Sequence, residues 1–157
     1  MSWDLIGKPI STAEMGTTTI SQRIITPPKR FLLKAVQARV IFYGNPAFTA
    51  LSMRLYHDSA GSPGALIAET LSKSKAELLT LDHGCKFIGW EFDKAIPMQL
   101  STAYHFVLFA SGYTGIDASH IAWKYAYPDP QFEEGLDLDA AHADNHPLEV
   151  TMVGADL

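Results

Sequence analysis

Apolar side chains recur at every second position over six separate stretches of this chain, and that period belongs to β-strands. Val36, Ala38, Val40 and Phe42 alternate with Ala35, Gln37, Arg39 and Ile41. Leu51, Met53 and Leu55 alternate with Ser52, Arg54 and Tyr56, and Ile88, Trp90 and Phe92 with Phe87, Gly89, Glu91 and Asp93. Tyr104, Phe106, Leu108 and Ala110 form another face, against His105, Val107 and Phe109. Ile121, Trp123, Tyr125 and Tyr127 oppose His120, Ala122, Lys124 and Ala126. Leu148, Val150 and Met152 alternate with Glu149, Thr151 and Val153. Successive side chains of a strand point to opposite faces, so each run buries one face and leaves the other mixed.

Turn-forming residues separate the runs. Gly44-Asn45-Pro46 follows the first, Gly61-Ser62-Pro63-Gly64 the second, and Asp82-His83-Gly84 precedes the third. Ser111-Gly112 and Tyr113-Thr114-Gly115 punctuate the approach to Ile121. Two weaker strands are expected, over Thr17 to Thr26 and Ala65 to Leu71, and one helical turn within Ser74 to Leu81. About eight strands result, which predicts an all-β fold, an antiparallel β-sandwich of jelly-roll-like character. At 157 residues one domain is expected, over 23–157, preceded by a Thr/Ser-rich N-terminal arm over 1–22.

Charge divides the chain unevenly. Residues 1–124 hold all 12 basic side chains and 9 acids, a net +3, whereas 125–157 hold 8 acids and no Lys or Arg. The period-two pattern lapses in the same place, from Asp129 to Pro147, predicting a long acidic loop before the last strand. The basic residues are dispersed, with only Lys29-Arg30 adjacent, so nucleic-acid binding is disfavoured. A single cysteine, Cys85, excludes an intramolecular disulfide framework and a Cys-rich zinc site. No apolar run reaches the roughly 18 residues of a membrane span, and Met1-Ser2-Trp3-Asp4 does not open a secretory signal. Synthesis in a cytoplasm without export is the expectation.

From Arg39 to Leu108 the chain resembles a β-sandwich pattern of accessory modules in bacterial surface and carbohydrate-binding proteins and in phage virion proteins. The segments that carry it are Leu55-Tyr56-His57-Asp58 running into Gly61-Ser62-Pro63-Gly64-Ala65-Leu66-Ile67-Ala68, then Trp90-Glu91-Phe92, then Leu100-Ser101-Thr102-Ala103 and Tyr104-His105-Phe106-Val107-Leu108. The pattern covers about half of the chain and speaks to fold more than to function. Apart from the resemblance, Trp90 and Phe92 share one face of a strand and are expected in the core, and the Tyr104 hydroxyl is expected to reach a backbone group. With no export signal, weight falls on a virion component, a capsid decoration or tail-appendage protein, located in the virion and contacting other virion proteins or copies of itself. A homo-oligomer or lattice-bound state is expected, with no nucleic acid and no membrane as partner.

Specific chemistry finds little support. Asp137, Asp139, His142, Asp144 and His146 mix metal-ligating types, but an EF-hand starting at Asp137 fails at Ala141, His142 and Leu148. No metal and no cofactor are expected. The chain has no nucleophile elbow, P-loop or dinucleotide fingerprint, and Glu133 and Glu134 are adjacent instead of facing across a cleft. No enzymatic activity is expected. Partner contact is expected at Trp3, Leu5 and Ile6 of the arm and at Asp129, Glu133, Glu134, Asp137, Asp139 and Asp144 of the acidic loop. The alternative is sugar binding by a row of rings, Trp123, Tyr125 and Tyr127 with Phe132 beyond. Against it, the opposite face of that strand would make a poor core, which turns Ile121, Trp123 and Tyr125 inward and leaves Tyr127 at the strand end as the exposed ring.

Overall fold

A computed structural model describes residues 2–6, 12–14, 19–79, 85–114, 120–124, 131–132, 137–138 and 150–157, with the backbone alone for 2–6, 12–14, 85–87, 120, 124, 131–132 and 137–138. Its two antiparallel sheets pack face to face as a β-sandwich. The long strand β4 (Phe31–Tyr43) organises the first sheet. Along one edge it pairs with β8 (Cys85–Met98), from Phe31 opposite Met98 to Ile41 opposite Cys85. Along the other edge lie two strands end to end: β10 (His120–Lys124) faces Val40 to Tyr43, and β13 (Val150–Asp156) faces Phe31 to Ala38. The N-terminal arm supplies the next layer of this sheet, with β1 (Ser2–Ile6) on β13 and β2 (Thr12–Glu14) on β10.

The second sheet runs β3–β9–β5–β6, made from β3 (Thr19–Ile25), β9 (Ala103–Ser111), β5 (Ala50–Ser59) and β6 (Ser62–Glu69). A two-residue strand β7 (Lys73–Ser74) pairs with the start of β5. Two further pairs involve residues of the acidic segment: β11 (Gln131–Phe132) lies opposite Ile6 and Leu5, and β12 (Asp137–Leu138) opposite Ile25 and Ile24. The single helix among the described residues, α1 (Lys75–Leu79), falls within the expected helical turn. Ser74 and Glu77 cap it reciprocally, the Glu77 N–H donating to Ser74 Oγ and the Ser74 N–H to Glu77 Oε1.

The alternating residues meet between the sheets. Val36, Ala38 and Val40 of β4 and Trp90 of β8 oppose Leu51, Met53 and Leu55 of β5 and Phe106 and Leu108 of β9, all fully buried. Burying each large side chain contributes roughly 1.5–3 kcal/mol, so the core is the main support of the fold. Trp90 also ties the layers by a directed bond, its Nε1–H donating to the Leu51 carbonyl at 3.2 Å. Tyr104 keeps its ring in the core while its hydroxyl accepts the Gln99 N–H at 3.1 Å, the backbone contact expected of it.

Two connections are tighter or more irregular than the turn residues alone indicate. The β5–β6 hairpin turns on Ala60 and Gly61, both with positive φ (52° and 87°), a two-residue loop that matches strand twist. Ser62, Pro63 and Gly64, expected in the turn, already belong to β6. Between Leu33 and Ala35 of β4, the facing register on β8 jumps from Ile96 to Glu91. Residues 92–95 therefore have no partner in the β4 ladder and form a wide bulge that interrupts the pairing of an otherwise long edge strand.

Candidate functional site

The outward face of the β3–β9–β5–β6 sheet carries the densest set of interacting polar groups among the described residues. Register places them in rows across the strands. Arg23, His105, Tyr56 and Leu66 face one another from β3 to β6, and the next row is Ser21, Val107, Arg54 and Glu69. A third row holds Thr19, Phe109 and Ser52. The inward residues between them, Ile24, Leu55 and Phe106 among others, hold the sheet on the core and fix where each outward side chain stands.

Asp58 links the first row to the hairpin. Its Oδ1 accepts from His105 Nε2 at 2.7 Å and from Arg23 Nε at 3.1 Å, while Oδ2 accepts the Gly61 N–H at 3.3 Å. The hydrogen bond from His105 holds the Asp58 carboxyl below the usual carboxylate range. The Gly61 N–H and Arg23 add to that effect, and partial burial opposes it. His105 itself is only 3% exposed although it lies on an outward face, because Asp58 and its cross-strand neighbours cover it.

Arg54 anchors the second row. It forms an ion pair with Glu69, and the guanidinium lies over the Phe109 ring, 3.6 Å from its centroid. Ser52 Oγ donates to the same Glu69 carboxylate at 2.9 Å. Burial works against the Arg54 charge, but the hydrogen bond and attraction of Glu69 outweigh it and hold the group charged. Arg23, Asp58, Arg54 and Glu69 keep 20–38% of their side-chain surface exposed. The result is a face whose polar side chains are held by one another, with Leu66 projecting at 53% exposure beside them.

Such a face is suited to contact. The His105–Asp58 pair has the geometry of an oriented imidazole, but the residues directly across from His105 are Arg23 and Tyr56, neither a serine nor a thiol. Among the described residues no group of three or more His, Cys, Asp or Glu is gathered closely enough to share a metal ion. Sequence reasoning did not find this site. Asp58 and His105 are 47 positions apart, and only the β5–β9 register brings them together.

The residues expected from sequence are distributed otherwise. Trp3 lies on β1 opposite Met152, while Leu5 and Ile6 lie opposite Phe132 and Gln131. Asp137 lies on β12 opposite Ile25. Asp129, Glu133, Glu134, Asp139 and Asp144 lie outside the described residues, as do Tyr125, Tyr127, His142 and His146. Trp123 is fully buried in the core, so its ring offers no face to a sugar. Cys85 opens β8 opposite Ile41. Compared with protein-family models and with curated protein sequences, the chain matches none.

Proposed function

We propose that the chain is a non-enzymatic structural module of a phage virion, a capsid decoration or tail-appendage protein that acts through protein–protein contacts. The observation that carries this reading is the outward face of the β3–β9–β5–β6 sheet. Arg54, stacked on Phe109 and tied to Glu69, and Tyr56 beside the Arg23–Asp58–His105 group are of the types enriched at protein interfaces. Their mutual bonds fix them before any partner arrives, which lowers the entropy lost on binding. The resemblance of residues 39–108 to modules of virion proteins supports the choice of assembly, and the excess of acids over residues 125–157 supplies charge that can orient it.

The alternative, a carbohydrate- or receptor-binding module, loses the first ring of its aromatic row, Trp123, to the core. The test is composition of the particle. Virions purified on a density gradient from cells that carry the gene are analysed by mass spectrometry. The expected result is the chain at fixed stoichiometry to the major capsid or tail protein. Its absence from purified particles, while present in the cell extract, contradicts the proposal.

A further inference from the structure

Strand β6 is the last of the β3–β9–β5–β6 sheet, and among the described residues no strand lies beside its outer edge. None of its residues from Ser62 to Glu69 is buried, and Leu66 in the middle is 53% exposed. The open stretch has defined ends. Pro63 has no N–H to offer at its start. After Glu69 the chain turns towards the first sheet, where the Leu71 N–H donates to the Glu91 carbonyl of β8 at 3.0 Å. Between these ends lie six residues, Gly64 to Glu69, with one charge among them. That charge, the Glu69 carboxylate, is already engaged by Arg54 and Ser52.

An outer strand presents unpaired N–H and C=O groups, and charges and bulges are the usual means of keeping it single. Strand β8, on the far side of β4, has both: its pairing lapses over 92–95, and Glu91, Asp93 and Lys94 are exposed there. The irregularities of β6 have a different arrangement. Leu66 faces Tyr56 with an extra residue on each side of it, Ile67 before Ala68 and one of Gly64 and Ala65 after Pro63. A second β6 laid antiparallel about a two-fold axis at Leu66 brings Ile67 opposite Ala65, Ala68 opposite Gly64 and Glu69 opposite Pro63. The extra residues then face each other, no two charges meet, and Leu66 packs on Leu66 of the other copy. The row Arg23–His105–Tyr56–Leu66 continues through the axis into the same row reversed.

We infer that the outer edge of β6 is a self-association site, where two copies of the chain pair their β6 strands antiparallel about a two-fold axis at Leu66 and join two sheets into one. Any extended chain can add to an open edge, and side-chain fit decides which one does. Here the fit is to the strand itself: matched irregularities, a Leu–Leu contact at the axis and the lone charge placed opposite proline. Six residues a side make an interface at or below the smaller specific ones, about 1,200 Å² in total, so the dimer is concentration-dependent. The inference needs no particle and no second protein, so it stands or falls separately from the proposed function.

Sedimentation velocity of the purified full chain, from low micromolar concentration to about 1 mM, is expected to show monomer passing to dimer. Over the same range backbone amides within 64–69 are expected to exchange more slowly, by about threefold or more at the top of the range. Leu66→Lys and Leu66→Glu each place two like charges at the axis, and because Leu66 is exposed both variants are expected to fold, which circular dichroism verifies. Each variant alone is expected to stay monomeric. Their equimolar mixture is expected to recover the dimer, because opposite charges then face each other. A full chain of constant monomer mass up to about 1 mM, or a dimer that either charged variant retains, overturns the association through β6. A mixture no more associated than its separate components overturns the axis at Leu66.

Discussion

Asp58 serves two structural tasks with one carboxylate. Oδ2 accepts the Gly61 N–H of the hairpin turn, and Oδ1 receives both His105 and Arg23. These bonds favour the charged form, His105 most of all, so the folded-state pKa lies below the ordinary value of 3.8. A depressed carboxylate contributes stability that is present above its unfolded pKa and is lost as pH falls through the folded value. Acidification from near 3.8 downward therefore removes the contribution. Asp58→Asn is expected to lower the urea midpoint at about pH 6 and to narrow that deficit at about pH 2.5, because protonation of the unfolded carboxyl then removes part of the advantage of the charged native form. A deficit of the same size at both pH values contradicts the role given to its charge. None of this was legible in the sequence, where His105 reads as one polar residue alternating with core positions.

At the scale of elements, β13 shows how a local irregularity is enforced. Its register against β4 shifts between Val153 and Gly154, and the two chains approach closely there. A Cβ built on Gly154 would stand 2.1 Å from the Leu32 carbonyl oxygen and 3.1 Å from its carbon. Backbone, not a flexible side chain, is the obstacle, so accommodating a methyl group requires the strands to separate. Gly154→Ala is expected to destabilise the fold by about 3 kcal/mol or more, read from urea unfolding followed by tryptophan fluorescence. A loss below about 0.5 kcal/mol would mean that the bulge relaxes at little cost. The runs themselves were legible because period two marks a strand with one buried face, and Val36, Leu51, Trp90, Phe106, Ile121 and Val150 all lie in the core. The turn at Ala60-Gly61 was displaced by one or two residues in the sequence reading. Pro63 and Gly64 look like turn residues, yet on an outer strand they replace unneeded donors and bulk.

For the molecule as a whole, the sequence announces two layers but not their order. Alternation states which side chains are inward, and it is silent on which strand lies beside which. The shared lane of β10 and β13, the arm as the next layer, and the meeting of Asp58 with His105 all depend on pairing across long sequence separations. Turn chemistry specifies pairing only for neighbouring strands such as β5 and β6. The same distinction separates core from contact surface. Core positions follow from hydrophobicity alone, whereas the rows Arg23–His105–Tyr56–Leu66 and Ser21–Val107–Arg54–Glu69 exist only once four strands are in register. If that face makes the contact with the particle, removing Arg54 and Tyr56 separates binding from folding. The decisive measurement is co-sedimentation of purified chain with particles from cells lacking the gene. The wild-type chain is predicted to travel with the particles, and the Arg54→Ala, Tyr56→Ala variant, its fold verified by circular dichroism, to remain at the top of the gradient. A wild-type chain that does not sediment, or a double variant that sediments equally well, contradicts the account.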